Sequence, residues 1–374
     1  MQARQHLIFS LAILLLLVGC RDSTAGVGCR YVILSPTPGW VSSGAWMKSG
    51  AELVVVDARA GKVLSFDPQE KGFVAQPLTQ ALQRSSPLRI TSDSTARNLF
   101  IEFERGRFAV LDPRRAFPIH WKNLFGSSPG NQVSQETRRL DSLYLWAPVN
   151  MDILAYAAIK KDVGGSAESW LEGFVQFPIE NPRQFQMLGA GNREASKIFY
   201  RLGHPLISSL RDTGYLLFLD SGFPGLYRNR KGAGELEPMD ALDVLYKSGK
   251  KANPLLPRFI RPEDFPAVMR AVERSSMPVG LYGWDDSLYM IFRSPRGGGG
   301  TKWVMFKIDP EADRIVSSFE IPTQASHLTV VPGPKEWAFI EKGPVRGYRN
   351  QDVNGILFVA TSRIQTAAGE GLCR

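Results

Sequence analysis

Residues 282–322 decide the fold, because they contain three consecutive runs of β-branched and aromatic residues. The runs are 287–292 (SLYMIF), 303–308 (WVMFKI) and 314–321 (RIVSSFEI). A tract of four glycines precedes the second run, and Asp309-Pro310 precedes the third. Short runs of this composition, bounded by glycine, proline and aspartate, are typical of antiparallel strands. We therefore expect one three-stranded unit here.

Most of the remaining chain follows the same pattern. Strand-like runs occupy residues 52–56, 99–103, 108–111, 143–146, 153–159, 173–177, 215–219, 336–340 and 356–360. Several strands end in an apolar pair followed by aspartate, as at Asp57, Asp112, Asp220 and Asp309. An aspartate at that place can accept hydrogen bonds from the amides of its own turn. The pattern predicts an all-β protein.

The unit at 282–322 resembles one blade of a β-propeller, and its strand order recurs more weakly at 53–74 and 98–119. The repeats can be aligned on six strand ends, namely Asp57, Asp112, Phe177, Asp220, Asp309 and Ala360. The resemblance implies a six-bladed β-propeller, and a pair of β-sandwiches is the competing fold.

One stretch, at about residues 232–278, departs from the blade pattern. Pro262-Glu263-Asp264 can open a helix there, with Arg270 and Arg274 toward its end, as the helix dipole prefers. The apolar residues at 265, 268, 269 and 272 share one face of that helix. We expect a partly helical insertion whose apolar face packs on the propeller or binds a partner.

The first twenty residues have the composition of an export signal. After Arg4 comes an apolar run at 7–18, which suits a signal-peptide core and is too short to span a membrane as a helix. The run leads into Leu17-Val18-Gly19-Cys20, which resembles the lipobox of bacterial lipoproteins at all four positions. The resemblance implies cleavage before Cys20 and lipid on its thiol. An ordinary secreted protein cleaved nearby is the alternative.

This resemblance divides the chain into a signal peptide at 1–19, a lipidated tether at 20–28 and a propeller domain at 29–374. In Gram-negative lipoproteins, an aspartate directly after the lipidated cysteine usually marks retention at the inner membrane. Here that position holds Arg21, and Asp22 follows one residue later. Arg21 favours an outer-membrane location.

Two further cysteines, Cys29 and Cys373, flank the propeller domain. Export to an oxidising compartment allows them to pair. Propellers commonly close by letting strands from both ends of the chain share one sheet, and a Cys29–Cys373 disulfide would clasp that seam. Two buried free thiols or a second lipid site are the alternatives.

The charge balance favours an anionic partner. The chain has 45 lysine and arginine residues against 36 aspartate and glutamate residues. Basic residues gather in predicted loops, and we expect Arg228, Arg230, Lys231, Lys250 and Lys251 to form a partner-binding surface. Because the chain is exported, the expected partner is an acidic envelope protein, an acidic glycan or a lipid headgroup, not a nucleic acid. A basic surface that binds nothing is the alternative.

No catalytic or cofactor motif stands out. Residues 126–130 (GSSPG) fit the Gly-x-Ser-x-Gly pattern of hydrolases, but the proline after the serine is typical of a surface loop. His120, His204 and His327 lie far apart, and we expect no metal site and no cofactor. The sequence thus favours a non-enzymatic binding or assembly module. A propeller hydrolase or lactonase with an axial active site is the alternative.

Overall fold

Most of the propeller domain is described by the computed structural model. It describes residues 28–34, 38–47, 50–57, 59–75, 86–92, 98–104, 106–111, 118–123, 137–163, 167–188, 206–218, 225–230, 235–241, 270, 276–295, 301–323, 325–342, 353–367 and 372–373. These residues form six four-stranded antiparallel sheets arranged as a six-bladed β-propeller.

The first three blades are built from consecutive strands. Blade 1 contains β2 (Val41–Met47), β3 (Glu52–Asp57), β4 (Lys62–Asp67) and β5 (Gly72–Ala75). Blade 2 contains β6 (Pro87–Ser92), β7 (Leu99–Phe103), β8 (Arg107–Leu111) and β9 (Pro118–Asn123). Blade 3 contains β10 (Thr137–Val149), β11 (Asp152–Val163), β12 (Ala167–Pro178) and β13 (Gln186–Met187).

The last three blades follow the same plan until the chain closes on itself. Blade 4 contains β14 (Leu206–Leu210), β15 (Thr213–Phe218), β16 (Gly225–Arg230) and β17 (Glu237–Met239). Blade 5 contains β18 (Met277–Trp284), β19 (Ser287–Pro295), β20 (Thr301–Asp309) and β21 (Arg314–Ile321). Blade 6 contains β22 (His327–Val331), β23 (Glu336–Lys342), β24 (Val353–Ala360) and the N-terminal β1 (Cys29–Ile33), and the helix α1 (Thr361–Thr366) follows β24.

Six hydrophobic clusters hold the ring together, and each lies between two neighbouring blades. Strand β3 is a continuous apolar run because both of its faces are covered by neighbouring blades. Leu53 and Val55 pack toward blade 6, whereas Val54 and Val56 pack toward blade 2. Because successive side chains of a strand point to opposite faces, a sheet covered on both sides needs apolar residues at both sets of positions.

The inner strands, which are the first strand of each blade, approach one another closely. A Cβ atom on Gly44 of β2 would lie 2.7 Å from a methyl group of Val331 in β22. A Cβ atom on Gly283 of β18 would overlap the backbone carbonyl of Ser209 in β14. The centre of the ring therefore selects small residues.

The seam of the ring lies in blade 6, where β1 pairs with β24 along its whole length, from Cys29 opposite Val359 to Ile33 opposite Gly355. Cys29 and Cys373 stand at disulfide-bonding distance, with Cα atoms 5.7 Å apart. Tyr31 of β1 also donates a 2.6 Å hydrogen bond to Glu341 of β23. The two ends of the domain are thus tied into one sheet.

The predicted all-β, six-bladed fold is confirmed, with a correction to the alignment of the repeats. Phe177, Asp309 and Ala360 lie at the ends of third strands, but Asp57 ends a second strand. The third strands of blades 1 and 4 end instead at Asp67 and Arg230. Second and third strands end in similar apolar sequences, so the alignment matched the second strand of blade 1 with the third strands of other blades.

The stretch predicted as an insertion includes propeller strands near both of its ends. Residues 237–239 form β17, which pairs with β16, and β18 starts at residue 277. The departure from the blade pattern therefore starts after Met239 and not at residue 232. The predicted helix lies almost wholly outside the described residues.

The predicted role of the turn aspartates is confirmed at Asp57 and Asp309. One carboxylate oxygen of Asp57 accepts 3.0 Å hydrogen bonds from the amides of Arg59 and Ala60. Asp309 does the same for Glu311 and Ala312, at 3.0 and 2.9 Å. Asp112 and Asp220 lie outside the described residues.

Candidate functional site

The inner strands of all six blades surround an axial cavity of about 370 Å³. The described residues that line it are mostly small, hydroxyl-bearing or apolar. They include Ser42, Ser43, Ser92, Ser208, Ser209, Thr91 and Thr329 among the hydroxyl-bearing residues, and Ile90, Trp146, Ile207, Leu281 and Val330 among the apolar ones. A cavity of this size accommodates a small molecule.

Serine side chains join neighbouring inner strands around this cavity. The Ser43 hydroxyl of β2 accepts a 2.8 Å hydrogen bond from the amide of Ile90 in β6. On the other side of the ring, the Ser208 hydroxyl of β14 accepts a 2.8 Å hydrogen bond from the amide of Gly283 in β18. Each hydroxyl keeps its own hydrogen available for donation. These serines therefore stabilise the ring and supply donors at its centre.

Arg89 is the charged residue among the described lining residues. Its Nε lies 3.5 Å from a carboxylate oxygen of Glu102 on β7, and the same oxygen accepts a 2.5 Å hydrogen bond from the indole of Trp146 on β10. The Glu102 side chain is 5% exposed, against 31% for Arg89. Burial raises the pKa of Glu102, and Arg89 and Trp146 oppose that rise. The three side chains join blades 2 and 3 beside the cavity.

Within the described part of the chain, the groups expected for axial hydrolysis do not converge on this cavity. None of the described lining residues is aspartate, glutamate, histidine or cysteine. Within the described ranges, no group of three or more such residues is arranged to hold a metal ion. His327 contacts the hydroxyl of Ser326, while His204, the side chain of His120 and residues 126–130 lie outside the description.

The two faces of the propeller differ in their connections. The inner strands run parallel to one another: Thr329 near the start of β22 donates to the carbonyl of Val41 at the start of β2, and Trp46 near the end of β2 donates to Val331 at the end of β22. We call the face where inner strands begin the loop face and the opposite one the turn face. Every connection from one blade to the next leads to the loop face.

Among the connections that join one described blade to the next, the longest are 76–86, 124–136, 188–205 and 240–276. By contrast, the turns between first and second strands lie on the turn face, and three of them contain only two residues each. These are 150–151, 211–212 and 285–286. Loops on a regular scaffold vary without disturbing the strands that carry them, so the loop face is where a binding surface is expected.

Of the five predicted basic residues, the described part of the chain includes Arg228 and Arg230. Arg228 and Arg230 lie on β16, which ends at Arg230. Met239 pairs with Leu226, so the connection that carries Lys250 and Lys251 leaves from the opposite end of β16. Lys231, Lys250 and Lys251 themselves lie outside the described residues, as does Cys20.

Arg228 already has partners within the protein. Its Nε donates a 2.8 Å hydrogen bond to Glu237 on β17, and one terminal nitrogen donates to the Pro310 carbonyl of blade 5 at 3.3 Å. The hydrogen bond from Arg228 lowers the pKa of Glu237. Arg230 lies 3.9 Å from the same carboxylate and its side chain is 53% exposed. Arg228 thus links two blades, and Arg230 is the more accessible of the two.

Sequence reasoning missed Arg89, Glu102 and Lys342. A signal existed for Glu102, because a carboxylate inside the apolar run of residues 99–103 must be buried and needs a partner. Lys342 ends β23, is 5% exposed, and holds its ammonium 4.0 Å from the ring centre of Trp40. Burial lowers the pKa of Lys342 to about 8. A lysine at the end of an apolar strand is ordinarily exposed, so the sequence did not predict that Lys342 is buried.

No helix within the described residues is long and apolar enough to cross a membrane. No protein-family model matches the chain, and no curated protein matches it either. Among solved structures, the chain is similar to one titled "Structure of U3-55K", at 5% identity and a TM-score of 0.44, over 89% of this chain and 98% of the other. Nothing about function follows from a similarity this low.

Proposed function

We propose that this chain is a lipid-anchored protein of the bacterial cell envelope that binds an anionic partner through the loop face of its propeller. The observation that carries the proposal is the asymmetry of the two faces, with the longest connections gathered on one of them. The axial cavity offers no acid–base pair among its described residues, which disfavours the hydrolase or lactonase alternative.

The anchor is supported by the lipobox-like sequence ending at Cys20, and Gly28 marks where the tether would join the domain. Gly28 accepts a 2.8 Å hydrogen bond from the Ala360 amide, and the next amide, of Thr361, donates to Lys335 in a turn of the turn face. The tether therefore joins the domain on the turn-face side. A tether from Cys20 to Cys29 spans at most about 30 Å. The loop face would then point away from an outer membrane that holds the lipid.

The partner is proposed to be anionic because the longest connection, 240–276, contains Lys247, Lys250 and Lys251. Basic residues close together in sequence favour acidic partners, and an electrostatic attraction weakens as salt shortens the screening length from about 10 Å at 0.1 M toward 3 Å at 1 M. An acidic envelope protein, an acidic glycan or a lipid headgroup would each satisfy this requirement.

Two matched double variants test the proposal, and each removes two positive charges. Lys250→Gln with Lys251→Gln alters the loop-face connection, whereas Arg230→Gln with Lys231→Gln alters the end of β16. Arg228 is left intact because it links blades 4 and 5. We expect the first variant to lose most salt-sensitive capture from envelope extracts at an unchanged melting temperature, and the second to retain it.

Protease treatment of the extract separates the partner classes, since only an acidic protein partner would be destroyed. Equal capture by the wild type and by both folded variants at low salt would contradict the proposed loop-face binding. So would capture that does not decline between low and high salt.

A further inference from the structure

The terminal nitrogens of Arg89 have no assigned structural role. A guanidinium that served only to neutralise Glu102 would be expected to engage the carboxylate through two short hydrogen bonds. Instead one nitrogen, Nε, lies 3.5 Å from a single carboxylate oxygen. Within the described part of the chain no other partner of this guanidinium is found, and solvent reaches the side chain, which is 31% exposed.

Hydroxyl donors surround the same cavity. The Ser43 hydroxyl accepts its hydrogen bond from the amide of Ile90, the residue directly after Arg89. This places the hydroxyl next to the Arg89 backbone. Ser208 and Ser209 line the cavity from β14, and each is 7% exposed. No hydrogen-bond partner of the Ser209 hydroxyl is found among the described residues. Ser43 and Ser208 use their oxygens as acceptors and retain a hydrogen to donate.

From these observations we infer that the axial cavity is a binding site for a small oxyanionic ligand, bound by the guanidinium of Arg89 and by serine hydroxyls of opposite inner strands. One cation and several hydroxyl donors match the charge and the acceptor oxygens of a carboxylate or phosphate group. A volume of about 370 Å³ leaves room for a small organic acid or a small phosphorylated molecule. This inference does not depend on the proposed partner.

The test measures binding of inorganic phosphate and of acetate to the mature protein by calorimetry at constant ionic strength. We expect at least one of the two to bind with a Kd of about 1 mM or tighter. Whichever binds more tightly identifies the phosphate or the carboxylate as the preferred group. No binding of either anion at that affinity would overturn the inference.

Variants of the Arg89–Glu102 pair separate binding from folding. Glu102→Gln keeps an oxygen for the Trp146 indole and removes the competing negative charge, so we expect about tenfold tighter anion binding. Arg89→Met combined with Glu102→Gln leaves no buried charge unpaired, so this double variant is expected to fold and to lose binding. Arg314→Met, which removes an exposed arginine from the outer strand β21, is the matched control and should bind like the wild type. Equal binding by the folded double variant would show an adventitious ion only, and would overturn the assignment.

Discussion

At the scale of single residues, Lys342 is the least expected group in the structure. Its side chain is buried beside Trp40, and the lost hydration of the ammonium lowers its pKa to about 8 from an ordinary 10.5. The Trp40 ring, 4.0 Å away, favours the charged form and repays part of this loss. A buried lysine of this kind destabilises the folded state while it remains protonated.

The sign of the pH dependence follows from the lowered pKa. Below pH 8 both the folded and the unfolded chain carry the proton, and the penalty is present in full, at about 3 kcal/mol. Between about pH 8 and 10.5 the unfolded chain holds a proton that the folded chain has lost, so the free energy of unfolding rises with pH.

Lys342→Met should therefore stabilise the protein at pH 7, by up to about 3 kcal/mol, because methionine fills the same space without a buried charge. The gain should shrink as pH approaches 10. Urea denaturation of both proteins at pH 7 and pH 10 measures the difference, in which other titrating groups cancel. An equal gain at both pH values would contradict the lowered pKa.

At the scale of elements, the second and third strands of the blades were easier to predict than the inner strands. The predicted runs at 99–103 and 287–292 correspond to β7 and β19, which are buried on both faces and rich in β-branched and aromatic residues. The inner strands β2 (VSSGAWM) and β14 (LISSL) were missed, because crowding at the axis and hydrogen bonds between neighbouring strands select serine and glycine. These residue types resemble loops when the sequence is considered alone.

The same crowding gives a prediction for Gly283. Its replacement by alanine would force a Cβ atom against the backbone of Ser209, and neither backbone can move without disturbing the ring. We expect Gly283→Ala to lower the free energy of unfolding by about 1–3 kcal/mol or more. Gly173→Ala on β12 is the matched control, since its Cβ would meet only the end of the Met187 side chain at 3.5 Å.

Thermal or urea denaturation of the two alanine variants compares them directly. Gly173→Ala should change stability by less than about 1 kcal/mol. A Gly283→Ala protein as stable as the wild type would show that the inner strands are not in close contact.

At the scale of the whole molecule, the sequence indicated the number of blades and the joining of the two ends. The order of strand-like runs recurs along the chain, and Cys29 and Cys373 flank the domain, so both features could be inferred without coordinates. The axial cavity could not be inferred from the sequence, because Arg89, Ser43 and Ser208 are far apart in sequence and line one cavity only when the ring closes. The register of β16 and β17 likewise shows that the connection containing Lys250 and Lys251 leaves from the end of β16 opposite to Arg230, which sequence proximity did not indicate.

The proposed membrane anchor and the closed seam together lead to one proposal for how this protein acts, as a propeller tethered on its turn-face side that binds through its loop face. Both features would change the mass of the mature chain. The proposed cleavage before Cys20 would remove residues 1–19, the proposed lipidation would add a diacylglyceryl group and usually one further acyl chain, and a Cys29–Cys373 disulfide removes two hydrogens.

The most direct measurement is therefore the intact mass of the protein purified from the bacterial envelope, followed by mapping of its peptides without reduction. We predict a lipid-modified N-terminus at Cys20, a linked pair of peptides containing Cys29 and Cys373, and loss of the lipid mass in a Cys20→Ala variant. A mature chain that starts at another residue, or one that carries no lipid on Cys20, would contradict the account.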